Sequence, residues 1–398
     1  MRILIAFNNY ADIPTGGERN VVTAEAKLLK DHGHEVFIWE RSNAEIQKNL
    51  TTKLRAFRDI SWSEKMMQDA GLVIDTFKPD IFHLHNYWLL LTPSVFAAAK
   101  KRGIPTVHTL HNFRMICPGC QLMYKGNICE KCLQDKHFIR SLFRKCFLDG
   151  SFLKTFLSWR LYHATRKRNF LSEYVSRFIS LTEFSRNKFI QGGLQPDKIV
   201  VKPNFLEDPL TSENNFSIAT PSKGAIFIGR ISQEKGILQL LTAWKQINYP
   251  LTIIGEGPLD EQARNLAREN PNPHNILFTG RLPHTEALQY LAKSAFLIFP
   301  SVWYETFGLT MIEAMALKKP VIASDLGGRD EIVQHEISGL LYDTENPQDL
   351  VDKVNRMIQM PDSEKAKMGE AGRTHYLKNY TPETNYEQLL AIYQNLLE

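Results

Sequence analysis

A chain of 398 residues is too long for one ordinary hydrophobic core and points to two or three domains. Hydrophobic residues at 43%, charged residues at 23% and a net charge of +5 are those of a soluble globular protein. The first apolar run, ILIAF, has five residues and no run reaches 18, too short for a secretory leader or a membrane span, so a cytoplasmic chain is expected.

The chain opens with a strand, RILIAF, a loop, NNYADIPTGGERN, a helical run, VVTAEAKLLKDHGH, and a second strand, EVFIWE, which together make a β-α-β unit. Gly16 and Gly17 close the loop, where a tight turn brings backbone amides to an anion; plain turn glycines read equally well. TGGE is not the G-x-G-x-x-G of a dinucleotide-binding turn, which counts against an oxidoreductase. Further strands are DIFHLH, TVHTLH, RFISL and IVVKP. His108 lies on the second of these and His111 at its end, where catalytic groups of a parallel sheet gather, although a lone strand-end histidine is more often a satisfied structural group.

All five cysteines fall in one window, and Cys117, Cys120, Cys129 and Cys132 are spaced C-x2-C-x8-C-x2-C. Two CxxC pairs suit a structural zinc, but the eight-residue spacer is shorter than the usual ribbon; free thiols buttressing an irregular loop are the alternative. Residues 131 to 170 then carry ten Lys or Arg (Lys131, Lys136, Arg140, Arg144, Lys145, Lys154, Arg160, Arg166, Lys167, Arg168) against Asp135 and Asp149, interleaved with Phe138, Phe143, Phe147, Phe152, Phe156 and Trp159. Such basic, aromatic helices pack on a core, lie on anionic lipid or bind nucleic acid. The first two readings are retained here, and no nucleic acid is expected.

Loop chemistry takes over from 203 to 223 and reads as an interdomain linker. The alternation then restarts with AIFIGR, the helix ILQLLTAWKQI, LTIIG, a helix after GPLDEQ, NILFTG, the helix EALQYLAKS, AFLIFP, a helix from Leu309, VIAS, a helix DEIVQ, and GLLYD. The expected fold class is therefore α/β, with two Rossmann-like parallel-sheet domains facing across a cleft. In GRISQEKG, Arg230 and Lys235 stand at the mouth of such a sheet, suited to a diphosphate, or are plain surface cations on a turn.

YETFGLTMIEAMALKKPVIAS, residues 304 to 324, places Glu305 before a helix and Glu313 inside it, with Lys318 and Lys319 at the helix end. Between the carboxylates lie the amides of Phe307, Gly308 and Leu309, a helix N-terminus that favours phosphate, while carboxylates accept sugar hydroxyls. For a bare pair of glutamates, solvent-facing side chains are the commoner outcome.

TGGERN, PDIFHLHN, TLHN, ISLTEFSRNKF, VKPN, GRISQEKG, IGEGPL, FTGRLP and SVWYETFGLTMIEAMALKKPVIASDLGG occur in this order over nearly the whole chain. Together they resemble the family 4 retaining glycosyltransferases of GT-B fold, and ICPGCQLMYKGNICEKC looks like an insertion seen in some envelope-polysaccharide members. The resemblance implies an acceptor-side domain over 1–205 with the Cys-rich insertion at 115–150, a nucleotide-sugar domain over 206–380, and a helix over 381–398 crossing back. It implies transfer from a nucleotide-diphosphate sugar to a glycan or lipid-linked glycan with retention. No metal is required, because protein cations and a helix dipole stabilise the leaving diphosphate.

By the same resemblance Glu305 holds the donor sugar, Phe307, Gly308 and Leu309 meet sugar and diphosphate, and Glu313 grips the ribose. Arg230 and Lys235 bind the diphosphate, Gly16 and Gly17 close over it, Gly255 and Arg281 belong to the donor site, and His111 contacts the transferred sugar. Peripheral contact with an anionic membrane on its inner face is expected of the basic window. A non-catalytic nucleotide-sugar-binding or partner subunit is the alternative, and should lack Arg230, Lys235 or Glu305; all three are present.

Overall fold

A computed structural model of the chain describes residues 1–9, 17–47, 50–135, 138–147, 150–167, 173–211 and 223–398. Gly16, Lys136, Asp149, Arg168 and most of the expected linker, 212–222, lie outside them. Contacts divide the chain into two units: Met1–Tyr124 with Cys129–Pro203 and Asn385–Glu398, and Lys125–Ile128 with Asn204–Thr384.

In the first unit β1 (Arg2–Asn9), β2 (Glu35–Ser42), β3 (Ile81–Leu84), β4 (Thr106–Thr109), β7 (Arg177–Ser180) and β8 (Ile199–Val201) form one parallel sheet in the order β2-β1-β3-β4-β7-β8. A hairpin of β5 (Met123–Tyr124) and β6 (Asn127–Ile128), not foreseen from sequence, stands apart between the two cysteine pairs. The centre of β1 is apolar throughout because helices cover both faces of a parallel sheet, and Ile3, Leu4 and Ile5 are fully buried. Ile3, Ile5, Val22 and Ile81 share a core with Leu389 and Tyr393 of the last helix, Pro382–Gln394.

In the second unit β9 (Ala225–Ile228), β10 (Leu251–Ile254), β11 (Ile276–Gly280), β12 (Phe296–Phe299), β13 (Val321–Ser324) and β14 (Gly339–Tyr342) form a second parallel sheet, ordered β11-β10-β9-β12-β13-β14. The two Rossmann-like sheets expected from the alternation are thus present. In each, the first strand is followed outward in one direction and then in the other. This leaves a switch point between β1 and β3 and another between β9 and β12, where the loops diverge and a crevice opens at the strand ends.

Two local expectations are corrected. DEIVQ is not a helix but a pair of turns, with Ile332 and Val333 amides both donating to the Arg329 carbonyl at 3.0 and 2.7 Å. Ile332 and Val333 are both buried, and Glu336 takes a left-handed φ of 63°, which helical repetition does not permit. The helix from Leu309 stops at Ala316, short of its lysines. Lys318 turns left-handed, and Lys319 is buried, which depresses its ammonium to about 8.

Candidate functional site

In the second unit the loops after β9 and β12 meet at the switch point. Gly236 makes the approach tight: its φ is 69°, and a Cβ there would lie 1.9 Å from the Pro300 carbonyl oxygen. Lys235, one residue earlier, donates its Nζ to Glu305 Oε1 at 2.5 Å, and Ser301 Oγ donates to the same oxygen at 3.0 Å. Glu305 is therefore no solvent-facing carboxylate, and Glu313 is equally buried. Burial alone would raise the Glu305 carboxyl, but Lys235 and then Arg329 outweigh it and hold it below the usual range.

Gly308 caps the helix Leu309–Ala316 at φ 110°, with Met311 Cε only 2.6 Å from where a Cβ would stand. A side chain there would be strained and would fill the ground beside the helix N-terminus, where free amides gather. Phe307 is buried, its ring edge-on to Tyr380 at 5.7 Å, so its side chain anchors the loop whose amide it contributes. Inside the helix Glu313 Oε1 contacts His284 Nε2 at 2.8 Å, and that bond, against the opposing effect of burial, raises the imidazole above 6.5.

Arg329 is the residue that sequence reasoning missed. It is 1% exposed and its Nη1 donates to Ser324 Oγ and the Leu326 carbonyl, both at 2.7 Å. Its Nη2 donates to the Trp303 carbonyl at 2.7 Å, tying the Glu305 loop to β13. Burial lowers its guanidinium to about 10, with Glu305 opposing. The available signal was an Arg in DLGGRDE directly after a buried strand. The other expected residues are more dispersed. Arg230 is exposed at the end of β9, and Arg281 is exposed after β11, the edge strand, two places from the switch point. Gly255 packs its α-carbon against the Gly229 carbonyl after β10.

In the first unit the switch point is laced by Asn8 and Asn86, whose backbones and side chain exchange two bonds of 3.1 Å. Gly17 begins the helix Gly17–Asp31 with open space beside its α-carbon. Burial lifts the neighbouring Glu18 carboxyl to about 8 against the pull of Asn86 and Arg114. His111 lines a small pocket with His85, Asn86, His108, Asn112 and Arg114. Its Nε2 is 2.9 Å from His85 Nδ1, and burial first, then His85, holds its imidazole well below the ordinary value. His108 is structural: buried, bonded to the Leu84 carbonyl at 2.9 Å, and depressed to about 3 by burial.

Behind His111 lies a buried polar cluster that the motif HLH marked only as part of a strand. Glu25 Oε1 is 3.2 Å from both His83 Nδ1 and His85 Nε2, and Oε2 is 3.2 Å from Lys202 Nζ. Among the described residues this is the one group of three His, Cys, Asp or Glu donors within 4.8 Å of one another. Lys202 already neutralises the single carboxylate, so a dication here would leave a buried excess of positive charge, and the cluster is better read as a charge-balanced hydrogen-bond network. Cys117, Cys120, Cys129 and Cys132 do not reach metal-ligand spacing by the same measure. No disulfide joins these described cysteines, and the Cys117 thiol is pushed up to about 12 by burial and then by Cys120.

Two family models match the chain: glycosyltransferase family 4 over residues 15–208 and glycosyl transferases group 1 over 211–375. A glycogen synthase of Mycobacterium tuberculosis is 30% identical over 378 residues, spanning 85% of this chain and 82% of the relative. O-antigen chain mannosyltransferase C of Escherichia coli is 27% identical over 209 residues, 51% of this chain and 56% of that one. Among solved structures, Anabaena HepE in complex with UDP matches with a TM-score of 0.67 and 19% identity, over 99% of this chain and all of the other, a likeness of fold. With both halves matched in order and two Rossmann-like sheets in place, the chain belongs to the family 4, group 1 glycosyltransferases of GT-B fold.

Proposed function

We propose that this glycosyltransferase moves a sugar, with retention and without a divalent metal, from a nucleoside-diphosphate donor to a glycan or lipid-linked glycan in cell-surface polysaccharide synthesis. The observation that carries the reading is the Lys235–Glu305 pair at the β9/β12 switch point, beside the N-terminus of the helix Leu309–Ala316. A fixed carboxylate, an ammonium and free helix amides are what a sugar joined to a diphosphate requires.

In this reading Lys235 and the exposed Arg230 take the diphosphate and stabilise its charge as it leaves. Glu305 and the amides of Phe307, Gly308 and Leu309 hold the sugar side. When Lys235 turns from Glu305 to the phosphate, Arg329 and Ser301 keep the carboxylate in place. Glu313, with His284, takes the ribose; Gly16, Gly17, Gly255 and Arg281 complete the donor side, and His111 contacts the transferred sugar. No second carboxylate is assigned as a covalent nucleophile, so the leaving phosphate oxygen receives the acceptor proton on the same face. HepE, solved in complex with UDP, and the O-antigen mannosyltransferase support the donor class and the polysaccharide role.

The membrane reading changes its residues. Arg166 sits over the Phe138 and Tyr162 rings at 4.9 and 5.0 Å, and Phe138 is buried, so that part of the stripe is packed structure. Phe143 is 84% and Phe152 55% exposed, with Ile139 and Leu153 exposed on the same pair of helices. Beside Arg140, Lys145 and Lys154 they suit an anionic membrane surface bearing a lipid-linked acceptor. The defining experiment offers UDP-, GDP- and ADP-sugars and measures nucleoside diphosphate release, with product configuration read by NMR. Retained configuration without added metal is expected, and inversion or strict metal dependence contradicts the proposal.

A further inference from the structure

Alternate residues of β3 and its extension point to one face of the sheet, which brings His83 and His85 together under Glu25 of the helix Gly17–Asp31. The neighbouring strand supplies a matching pair two residues apart, Thr109 and His111. His83 Nε2 is 2.8 Å from Thr109 Oγ1, and His85 Nδ1 is 2.9 Å from His111 Nε2. The His85 and His111 rings stack at 5.2 Å with 19° between their planes. The first rung is pinned from outside by Tyr393 of the last helix, whose hydroxyl is 2.7 Å from His83 Nδ1. Lys202 is pinned by Asn385 Oδ1 at 3.0 Å.

We propose that His85 and Glu25 are positioning residues for His111, fixing both the orientation and the tautomer of its ring. This rests on the reading that His111 contacts the transferred sugar. Glu25 is ionised: burial would raise its carboxyl, but Lys202, His83 and His85 together draw it well below the usual range. A carboxylate 3.2 Å from His85 Nε2 favours the proton on that nitrogen, although the approach is off the hydrogen-bond direction and acts mainly through charge. His85 Nδ1 is then a lone pair and accepts Nε2–H from His111. A ring held this way meets its ligand in one geometry. The last helix, through Tyr393 and Asn385, becomes part of the support for a group at the strand ends.

The test is a double-mutant cycle on the full chain with the donor and acceptor identified from the panel, measuring kcat and donor KM. His85→Leu is expected to lower kcat about 10- to 100-fold with donor KM little changed, as a misplaced contact does. His85→Asn, whose amide stands near the place of Nδ1, should recover part of the loss. In a His111→Ala background His85→Leu should add almost nothing. If His111→Ala leaves turnover unchanged, the reading of His111 at the sugar fails. If His111→Ala lowers turnover and the two losses multiply, positioning fails while that reading stands. Should His85→Leu not fold, imidazole 15N spectra of the wild type decide: a protonated Nε2 on His111 supports the proposal, and a protonated Nδ1 overturns it.

Discussion

Lys235 Nζ and Glu305 Oε1 stand 2.5 Å apart although 70 residues separate them in sequence. Each ends a loop leaving an adjacent strand, and Gly236 lets those loops touch. Arg329 braces the pair from β13 without being at the surface. The two cations therefore differ in kind. Arg329→Ala leaves the Leu326 and Trp303 carbonyls without their donor and removes a nearby positive charge from the buried Glu305, and should cost about 3–5 kcal/mol of stability in urea unfolding. Lys235→Ala keeps Arg329 beside Glu305 and should cost about 1–3 kcal/mol. Equal losses would mean that Arg329 is not the brace.

The His284–Glu313 pair makes the stability of the second unit depend on pH. Its folded value is raised above 6.5 by Glu313, so the stability it contributes is fully present below 6.5 and is lost as pH rises through the folded value. The melting temperature of His284→Gln should fall furthest behind the wild type below pH 6.5 and converge with it as pH rises past the folded value. A gap that widens with rising pH contradicts the pairing.

Acid acts on the first unit through His83, lowered from 6.5 to about 4 by burial and then by His85. The unfolded chain takes up a proton below 6.5 that the folded chain refuses until about 4, so stability falls across that window. His83→Gln should flatten the decline in thermal melts between pH 6.5 and 4. An unchanged slope would assign the acid response elsewhere.

The exposed aromatic pair predicts membrane behaviour. Binding to vesicles containing anionic lipid should weaken at high salt and with charge reversal at Arg140 and Lys145. Phe143→Ser with Phe152→Ser should weaken it further while donor binding is kept. Equal binding to neutral and anionic vesicles, or none to either, would favour a soluble acceptor.

Much of this fold is legible because parallel strands buried on both faces, such as ILIAF and AFLIF, leave unbroken apolar runs between helical periods. The E-x7-E spacing was equally visible, but the burial of both carboxylates was not, since it depends on Lys235, Arg329 and His284 arriving from other loops. Arg329 escaped notice because DEIVQ reads as a helix by local propensity, whereas buried Ile332 and Val333 turn the chain around its side chain. The Glu25–His83–His85–Lys202 cluster joins segments as far apart as residues 25 and 202, and no local pattern marks such a meeting.

The most direct test of the central claim is turnover of the Arg230→Ala, Lys235→Ala double variant with the nucleoside-diphosphate sugar that the wild type accepts. If these cations stabilise the leaving diphosphate, kcat should fall on the order of 10²-fold or more, while stability falls by no more than the loss expected of Lys235→Ala alone. Wild-type-like turnover by the double variant would contradict the assignment of this site.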